Sequence, residues 1–219
     1  MAITVLITSG PTREYIDPVR FVSNASSGKM GKALAEQALK QKCNVIVVKG
    51  PSDIDIPRSK KCKVIDVVSA KEMLAAVKQN LKSADIFIGA AAVSDYRPIE
   101  IAKTKIKKTD IGSDTITLKL VKNPDIIRYV AFHREEKQVV IGFALETRNL
   151  LSYAKAKLKE KNLDMIVANA AKTISSKNSA PTIIFKDGNM RKLKMRSKEK
   201  AAKEIIDESI RIFKTIKTC

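Results

Sequence analysis

The apolar residues of this chain follow two periods. Residues 3–8 form a β-rich run without polar alternation, the pattern of a strand buried on both faces of a parallel sheet. Over 29–42, Met30, Ala33, Leu34 and Ala38 fall on one side and lysines on the other, which predicts an amphipathic helix. Residues 45–48 and 64–68 predict further strands, the first ended by Gly50-Pro51. Ser69 and Glu72 then form a capping box for a helix carrying Leu74, Val77 and Leu81 inward. A fourth strand is predicted over 86–92. Strands separated by helical or loop connections indicate an α/β, doubly wound, Rossmann-like fold with a mostly parallel sheet, whose ligands bind beyond the carboxyl ends of the strands.

The rhythm changes in the second half. Residues 97–113 are polar and lysine-rich and are read as a flap, and the alternation of Ile116, Leu118 and Leu120 predicts a half-exposed antiparallel strand over 115–120. Asn123-Pro124-Asp125 opens a helix with Asn123 as a cap candidate. Strands follow at 139–143 and 165–169, with a helix over 150–161 between them. Asp187-Gly188 between 182–185 and 190–195 signals a hairpin, read as a small antiparallel dimerisation arm at about 180–196 that, with the strand at 115–120, is expected to supply pairing edges between subunits. A helix over 197–217 closes the chain, with Ala202, Ile206, Ile210 and Phe213 at helical spacing. No repeat or linker interrupts the pattern, so a single domain over 1–219 is expected.

The connection between the first strand and the first helix is far longer than the roughly 2–6 residues of a typical βα loop, and long ordered loops are usually functional. It holds two arginines, two adjacent serines and glycines where a helix start offers free N–H groups, so an anion such as a nucleotide phosphate is its natural ligand.

Composition narrows the setting. A formal charge of +19, from 42 basic and 23 acidic residues, predicts attraction to phosphorylated ligands or polyanions. Aromatics are only 5% of the chain and do not interleave with basic residues, which counts against single-stranded nucleic-acid recognition. The three cysteines, Cys43, Cys62 and Cys219, have no CxxC spacing and fit a reduced cytoplasm. His133 is the only histidine, so a Cys/His zinc site and a Ser-His-Asp triad both lack parts. No apolar run is long enough for a membrane span.

Three clusters fall near the expected ligand edge. Besides the opening loop, residues 89–96 form a strand end of small residues, where the backbone can approach a flat ligand and Asp95 can face a metal or a sugar hydroxyl. Small residues there also serve tight helix packing. Lys103, Lys105, Lys107 and Lys108 make a loop able to close over a triphosphate, or simply a solvated basic loop. Lys157 and Lys161, four apart, share a helix face, whereas Lys155 and Lys159 face elsewhere. Tyr153 with Lys157 matches the Y-x-x-x-K pattern of short-chain dehydrogenases. Against that reading, the first loop lacks G-x-G-x-x-G and the second strand ends in Lys49-Gly50 with no acid for a ribose.

Taken together, the motifs resemble those of phosphopantothenoylcysteine synthetase, also called phosphopantothenate-cysteine ligase. They are Gly10-Pro-Thr-Arg-Glu14, Asp17-Pro-Val-Arg20, Ser23-Asn24 with Ser26-Ser-Gly-Lys-Met-Gly31, Ala91-Ala-Val-Ser-Asp-Tyr96 and Lys105-Ile-Lys-Lys108. Lys122-Asn-Pro-Asp-Ile126, Gly142-Phe-Ala-Leu-Glu-Thr147 and Lys161-Asn-Leu-Asp164 continue the series. The resemblance implies a cytoplasmic, homodimeric ligase of coenzyme A biosynthesis that uses CTP, with magnesium, to activate 4'-phosphopantothenate for coupling to L-cysteine.

By the same resemblance, Gly89, Ala90, Ala91, Asp95, Lys105, Pro124, Asp125, Ile126, Ile127, Phe143, Lys157 and Lys161 surround the nucleotide. Ser26, Ser27, Gly28, Met30 and Gly31 hold its phosphates. Asn24 contacts the acyl-nucleotide, Arg20 is the candidate for a substrate phosphate or carboxylate, Lys105 stabilises the transition state, and Asp95 and Asp125 are magnesium candidates. The chain departs from the pattern at 170–177, which is shorter and basic. Many relatives carry a flavin-dependent decarboxylase fused ahead of the ligase, and the pattern here is read as the ligase portion, either free-standing or an excised half. Such a partner is expected to be fused or separate. The competing readings are a non-enzymatic basic nucleotide- or RNA-binding protein and the dehydrogenase.

Overall fold

Strand β1 (Thr4–Ser9) is buried from Val5 onward and leads into the long connection, which carries an antiparallel ribbon of β2 (Arg13–Tyr15) and β3 (Phe21–Ser23) before helix α1 (Lys29–Lys40). Next come β4 (Asn44–Lys49), β5 (Cys62–Asp66), α2 (Ala70–Leu81) and β6 (Ile86–Gly89). A second ribbon joins β7 (Tyr96–Pro98) to β8 (Leu120–Lys122). Then follow α3 (Ile126–His133), β9 (Val139–Glu146), α4 (Leu150–Glu160) and β10 (Met165–Ala170). The remaining elements are β11 (Asn178–Ser179), β12 (Thr182–Phe185), β13 (Met190–Lys192), β14 (Arg196–Ser197) and α5 (Lys198–Thr218). This computed structural model describes residues 2–107, 115–170 and 178–218.

Eight strands form one sheet in the order β13-β12-β10-β9-β6-β1-β4-β5. The strands from β10 through β5 are parallel, and β12 and β13 add antiparallel pairs at one end. Chain order runs outward from β1 to β5 and then, from β6, outward the other way. The reversal puts a crevice between β1 and β6, at their carboxyl ends. Helices α1 and α5 cover one face around Leu34, Ile7, Ile88, Ile205 and Phe213. On the other, α2, α3 and α4 pack around Leu6, Met73, Phe87, Val130, Ala154 and Ile166.

Four sequence expectations are corrected or refined. Residues 115–119 are not a strand; pairing begins at Leu120, opposite Pro98. Ile116, Leu118 and Leu120 are all exposed, so their alternation records a surface pattern without a core beneath it. Helix α3 is capped by Asp125, whose carboxylate accepts the Arg128 N–H at 3.0 Å, and not by Asn123. Asn123 instead donates to the Ser94 carbonyl at 2.8 Å and accepts from Arg97. The hairpin exists, but β12 pairs with β10 and so extends the main sheet, with Ile183 and Ile184 fully buried. Its turn uses positive φ only at Gly188 (89°), where the Gly188 N–H reaches the Phe185 carbonyl at 3.0 Å. That is a type I turn followed by a left-handed glycine. The cap at Ser69 is as expected: its Oγ accepts the Glu72 N–H at 3.2 Å.

Candidate functional site

A cleft of about 910 Å3 opens at the β1/β6 crevice. Its floor is Thr8, Gly89, Ala90 and Ala91, and the ends of β9 and β10 contribute Phe143, Glu146 and Asn169. The Ala90 and Ala91 N–H groups bond to the carbonyl and hydroxyl of Thr8 at 3.2 and 3.4 Å, which keeps the small-residue strand end against β1. The opening loop is joined to the same segment, because Ala92 N–H reaches the Gly10 carbonyl at 2.9 Å and Ser94 N–H the Thr12 hydroxyl at 3.0 Å.

Asn24 stands on the rim. Its amide nitrogen donates to the carbonyls of Ala92 and Val93 at 3.2 and 3.0 Å, leaving Oδ1 as the atom it can offer a ligand. Ser26 and Met30 lead from there into α1. That helix begins at Gly28, with φ of 76° and no side-chain cap, so its first-turn N–H groups meet the cleft without a built-in acceptor.

On the opposite side of the sheet, α3 and α4 bring Pro124, Asp125, Ile126, Ile127, Lys157 and Lys161 into the wall. Lys161 bonds Asp125 at 2.6 Å, and Lys157 donates to the Phe143 carbonyl at 2.8 Å. Burial pushes the Lys157 ammonium below its ordinary pKa and Lys161 adds to this, while Asp125, Glu146 and Asp95 oppose it. Burial would raise Asp125, but hydrogen bonds from Lys161 and the Arg128 N–H, with the charges of Lys161 and Lys157, hold it below the usual carboxylate range.

A divalent cation fits here only in part. Both Asp125 oxygens are engaged, one as the α3 cap and one by Lys161. Asp95 and Glu146 line the cleft as well, and among the described residues no group of three acidic, histidine or cysteine side chains is assembled. Magnesium tolerates this, since it commonly takes one or two carboxylates and completes its shell with phosphate oxygens and water.

Other predicted residues lie apart from the wall. Ser27 and Gly28 sit behind Ser26, and Gly31 is buried against Ser9. Lys105 is exposed, and Lys108 lies outside the described residues, as do residues 109–113 of the flap and 171–177 of the basic loop. Arg20 is held in an ion pair with Asp17 at 2.6 Å and donates to the Ile106 carbonyl at 2.5 Å. Burial would raise the pKa of Asp17. The N–H groups of Val19 and Arg20, the guanidinium of Arg20 and the N–H of Ile106 outweigh that and hold it well below the usual carboxylate range. Tyr153 lies outside the wall, which separates the two halves of the Y-x-x-x-K pattern, and His133 is exposed beside Tyr129. Sequence reading missed Asn169, Ser179 and Lys198, all in the wall.

Residues 2–212 match the family model described as the DNA/pantothenate metabolism flavoprotein C-terminal domain. The chain belongs to this family. The coenzyme A biosynthesis bifunctional protein CoaBC of Haemophilus influenzae is 44% identical over 211 residues, covering 95% of this chain and 51% of that protein. CoaBC of Bacillus subtilis is 42% identical over 208 residues, covering 93% of this chain and 50% of the relative. The chain thus spans about half the length of the curated relatives it matches. Among solved structures, the C-terminal domain of a CoaBC superposes with a TM-score of 0.81 at 37% identity, covering 99% of this chain and 97% of that one. The DNA/pantothenate metabolism flavoprotein of Streptococcus pneumoniae reaches 0.83 at 25% identity, covering 97% of this chain and all (100%) of the other. Family membership bears out the resemblance in the motifs, and the family's fold is the doubly wound sheet described above. Among the described residues no helix is long and apolar enough to cross a membrane.

Proposed function

We propose that the chain is a ligase of coenzyme A biosynthesis joining 4'-phosphopantothenate to L-cysteine, with CTP as the activating nucleotide. The observation that carries the reading is the convergence, on one cleft at the switch point, of Asn24, the open start of α1 and the Lys157/Lys161 pair. Family membership and the CoaBC relatives support the pathway, and Gly89 to Ala91 with Pro124, Ile126 and Ile127 form an apolar wall suited to a nucleoside.

In the first step a carboxylate oxygen of 4'-phosphopantothenate attacks the α-phosphorus of CTP. The bond to the β-phosphate oxygen breaks, and pyrophosphate leaves. Charge accumulates on the phosphates as this proceeds, so Lys157, Lys161, the N–H groups at the start of α1 and Lys105 from the flap lower the barrier by electrostatic stabilisation. In the second step the amine of cysteine attacks the acyl carbon, loses a proton and expels CMP, leaving an amide. With its NH2 spent on Ala92 and Val93, Asn24 serves this step through Oδ1, which accepts an N–H of the incoming amine. Magnesium, held by phosphate oxygens with Asp95, would neutralise triphosphate charge. Asp125 joins it only by giving up Lys161.

A homodimer belongs to the same proposal. Val19 and Phe21 around the first ribbon, and Ile99, Ile101, Leu120 and Val121 around the second, are exposed apolar residues on neighbouring ribbons, and a second copy would cover them. The β13 edge suits this less well, since Arg191 there is paired with Glu204 and Glu208 of α5. In the cell the chain would work in the cytoplasm beside a fused or separate decarboxylase.

The test is pyrophosphate release with CTP or ATP, magnesium and 4'-phosphopantothenate, with and without cysteine. Release that requires the acid and prefers CTP supports the reading. No release with either nucleotide refutes it.

A further inference from the structure

The motif Gly10-Pro-Thr-Arg-Glu14 puts no side chain into the cleft wall, so its part in the site must come from what it holds. Its last two residues anchor it to the body of the fold. Arg13 N–H reaches the Val68 carbonyl at 2.9 Å, and the buried Glu14 carboxylate accepts the Ala70 N–H at 2.9 Å, at the start of α2. Thr12, between this anchor and the cleft, is fully buried.

Thr12 directs its backbone and side-chain polar groups to the two segments that meet at Asn24. Its carbonyl accepts the Ser23 hydroxyl at 2.7 Å, and Ser23 is the last residue of β3. Its N–H reaches the Ala92 carbonyl at 3.4 Å, and its Oγ1 accepts the Ser94 N–H at 3.0 Å. Asn24 follows Ser23 and donates its amide to the Ala92 and Val93 carbonyls. Thr12 N–H and Asn24 Nδ2 therefore share the Ala92 carbonyl oxygen, which has two lone pairs to offer.

Asn24 has little else to fix it. Residues 24–27 belong to no strand or helix, so the place of Asn24 is set by the end of β3 on one side and by its two amide bonds on the other. A buried threonine needs hydrogen-bond partners wherever it lies. Here those partners all lie on either side of one functional side chain.

We propose that Thr12 is a positioning residue, which fixes the end of β3 against the 92–94 segment and thereby holds Asn24 Oδ1 where the amine of cysteine must pass. It touches no substrate itself. The task given to Asn24 rests on the ligase reading, whereas the hold of Thr12 on Asn24 does not.

The test uses the whole chain as wild type, Thr12→Val, Thr12→Ser and Ser23→Ala. Valine keeps the branched shape but leaves the Ser94 N–H without its acceptor, while serine keeps the hydroxyl. Ser209→Ala is the control for loss of a buried hydroxyl elsewhere, since Ser209 bonds the Ile205 carbonyl within α5. The first readout needs no turnover: exchange of the Asn24 side-chain amide with water, followed by NMR and assigned by its loss in Asn24→Ala. Thr12→Val and Ser23→Ala should speed this exchange by about tenfold, the scale of one buried hydrogen bond. Thr12→Ser and Ser209→Ala should leave it near wild type. Unaltered exchange in Thr12→Val would overturn the proposal. Should that variant not fold, Ser23→Ala tests the other arm of the clamp, and unaltered exchange there has the same force.

The second readout separates the half-reactions by rapid quench. Thr12→Val should slow transfer to cysteine by about 10- to 100-fold, the cost of a displacement near 1 Å, with acyl-nucleotide formation near wild type. Thr12→Ser should recover most of the loss. In an Asn24→Ala background, Thr12→Val should add no further loss to transfer, because the two residues act as one unit. Equal slowing of both steps, no recovery with serine, or additive losses in the double variant would each reduce Thr12 to a structural residue and overturn the proposal. If the wild type shows no turnover, the ligase reading fails, and the exchange measurement alone decides whether Thr12 holds Asn24.

Discussion

Asp17 accepts the backbone N–H of Ile106 at 3.2 Å through the same carboxylate oxygen that binds Arg20 Nε and Nη2, at 2.9 and 2.6 Å. One buried carboxylate thus ties the opening loop to the segment carrying Lys105. Ala102 N–H adds a second tie, to the Ile16 carbonyl at 2.9 Å. In this arrangement Arg20 positions the flap.

Asp17→Asn should therefore act on the first half-reaction at a distance. The carboxamide presents an NH2 group to donors that need an acceptor, so Ile106 and Arg20 lose their anchor. Displacing Lys105 by about 1 Å is enough to slow pyrophosphate release on the order of 100-fold. Amide exchange at Ala102 and Ile106 should accelerate in parallel. Slow chemistry with unaltered exchange would contradict the latch.

Lys157 sets a pH dependence. Its pKa is lowered on folding from 10.5, so between its folded value and 10.5 the native state binds fewer protons than the unfolded chain. Its contribution to stability therefore grows as pH rises through that window. The urea midpoint of Lys157→Met should lack this rise, while KM for CTP increases by about tenfold. Parallel pH profiles for wild type and variant would show that Lys157 is not desolvated.

Asn24→Asp replaces a donor to Ala92 and Val93 with a carboxylate that can only accept. The acyl-nucleotide should still form, and its transfer to cysteine should slow. Rapid-quench measurement of the two steps checks this, and an equal loss in both would remove the role given to Asn24.

Two glycines are required by close approach. A Cβ on Gly31 would overlap Ser9 Oγ and Cβ, and one on Gly50 would overlap the Pro11 carbonyl oxygen. Gly50→Ala should cost at least about 1–3 kcal/mol in urea unfolding, since the obstacle is backbone. Gly31→Ala should be rescued in part by Ser9→Gly, because the obstacle there is a side chain. Gly188 has open space around its Cβ position but a φ of 89°, so substitution there is strained by the backbone alone: Gly188→Ala should cost about 1–2 kcal/mol, and Gly188→Asn less than that.

The parts of the fold legible in the sequence were those set by local chemistry. Continuous apolar runs located β1, β4, β9 and β10, and Ser69 with Glu72 marked the start of α2 through a contact three residues long. The helical period put Lys157 and Lys161 on one face, where both meet the cleft, while Lys155 and Lys159 are exposed. Alternation failed at Ile116 and Leu118 because periodicity reports spacing, not what lies beneath it. Asn123 was mistaken for a cap because either residue flanking Pro124 could serve, and only the geometry of the chain beyond Pro124 selects Asp125. Ser179 and Lys198 carry no local signal at all, while Asn169 is marked only as the last residue of a predicted strand. Ser179 and Lys198 reach the cleft through the pairing of β11 with β14 and the return of α5 across the sheet, which are long-range consequences of topology, whereas Asn169 stands at the carboxyl end of β10.

The central claim is that a carboxylate is activated by attack on an α-phosphorus, and it can be read in the products. 4'-Phosphopantothenate labelled with 18O in its carboxylate is turned over with unlabelled CTP, magnesium and cysteine, and the CMP is analysed by mass spectrometry. The account predicts one 18O in the CMP phosphate for each amide formed. Product amide accompanied by unlabelled CMP, or by label in inorganic phosphate, would contradict it.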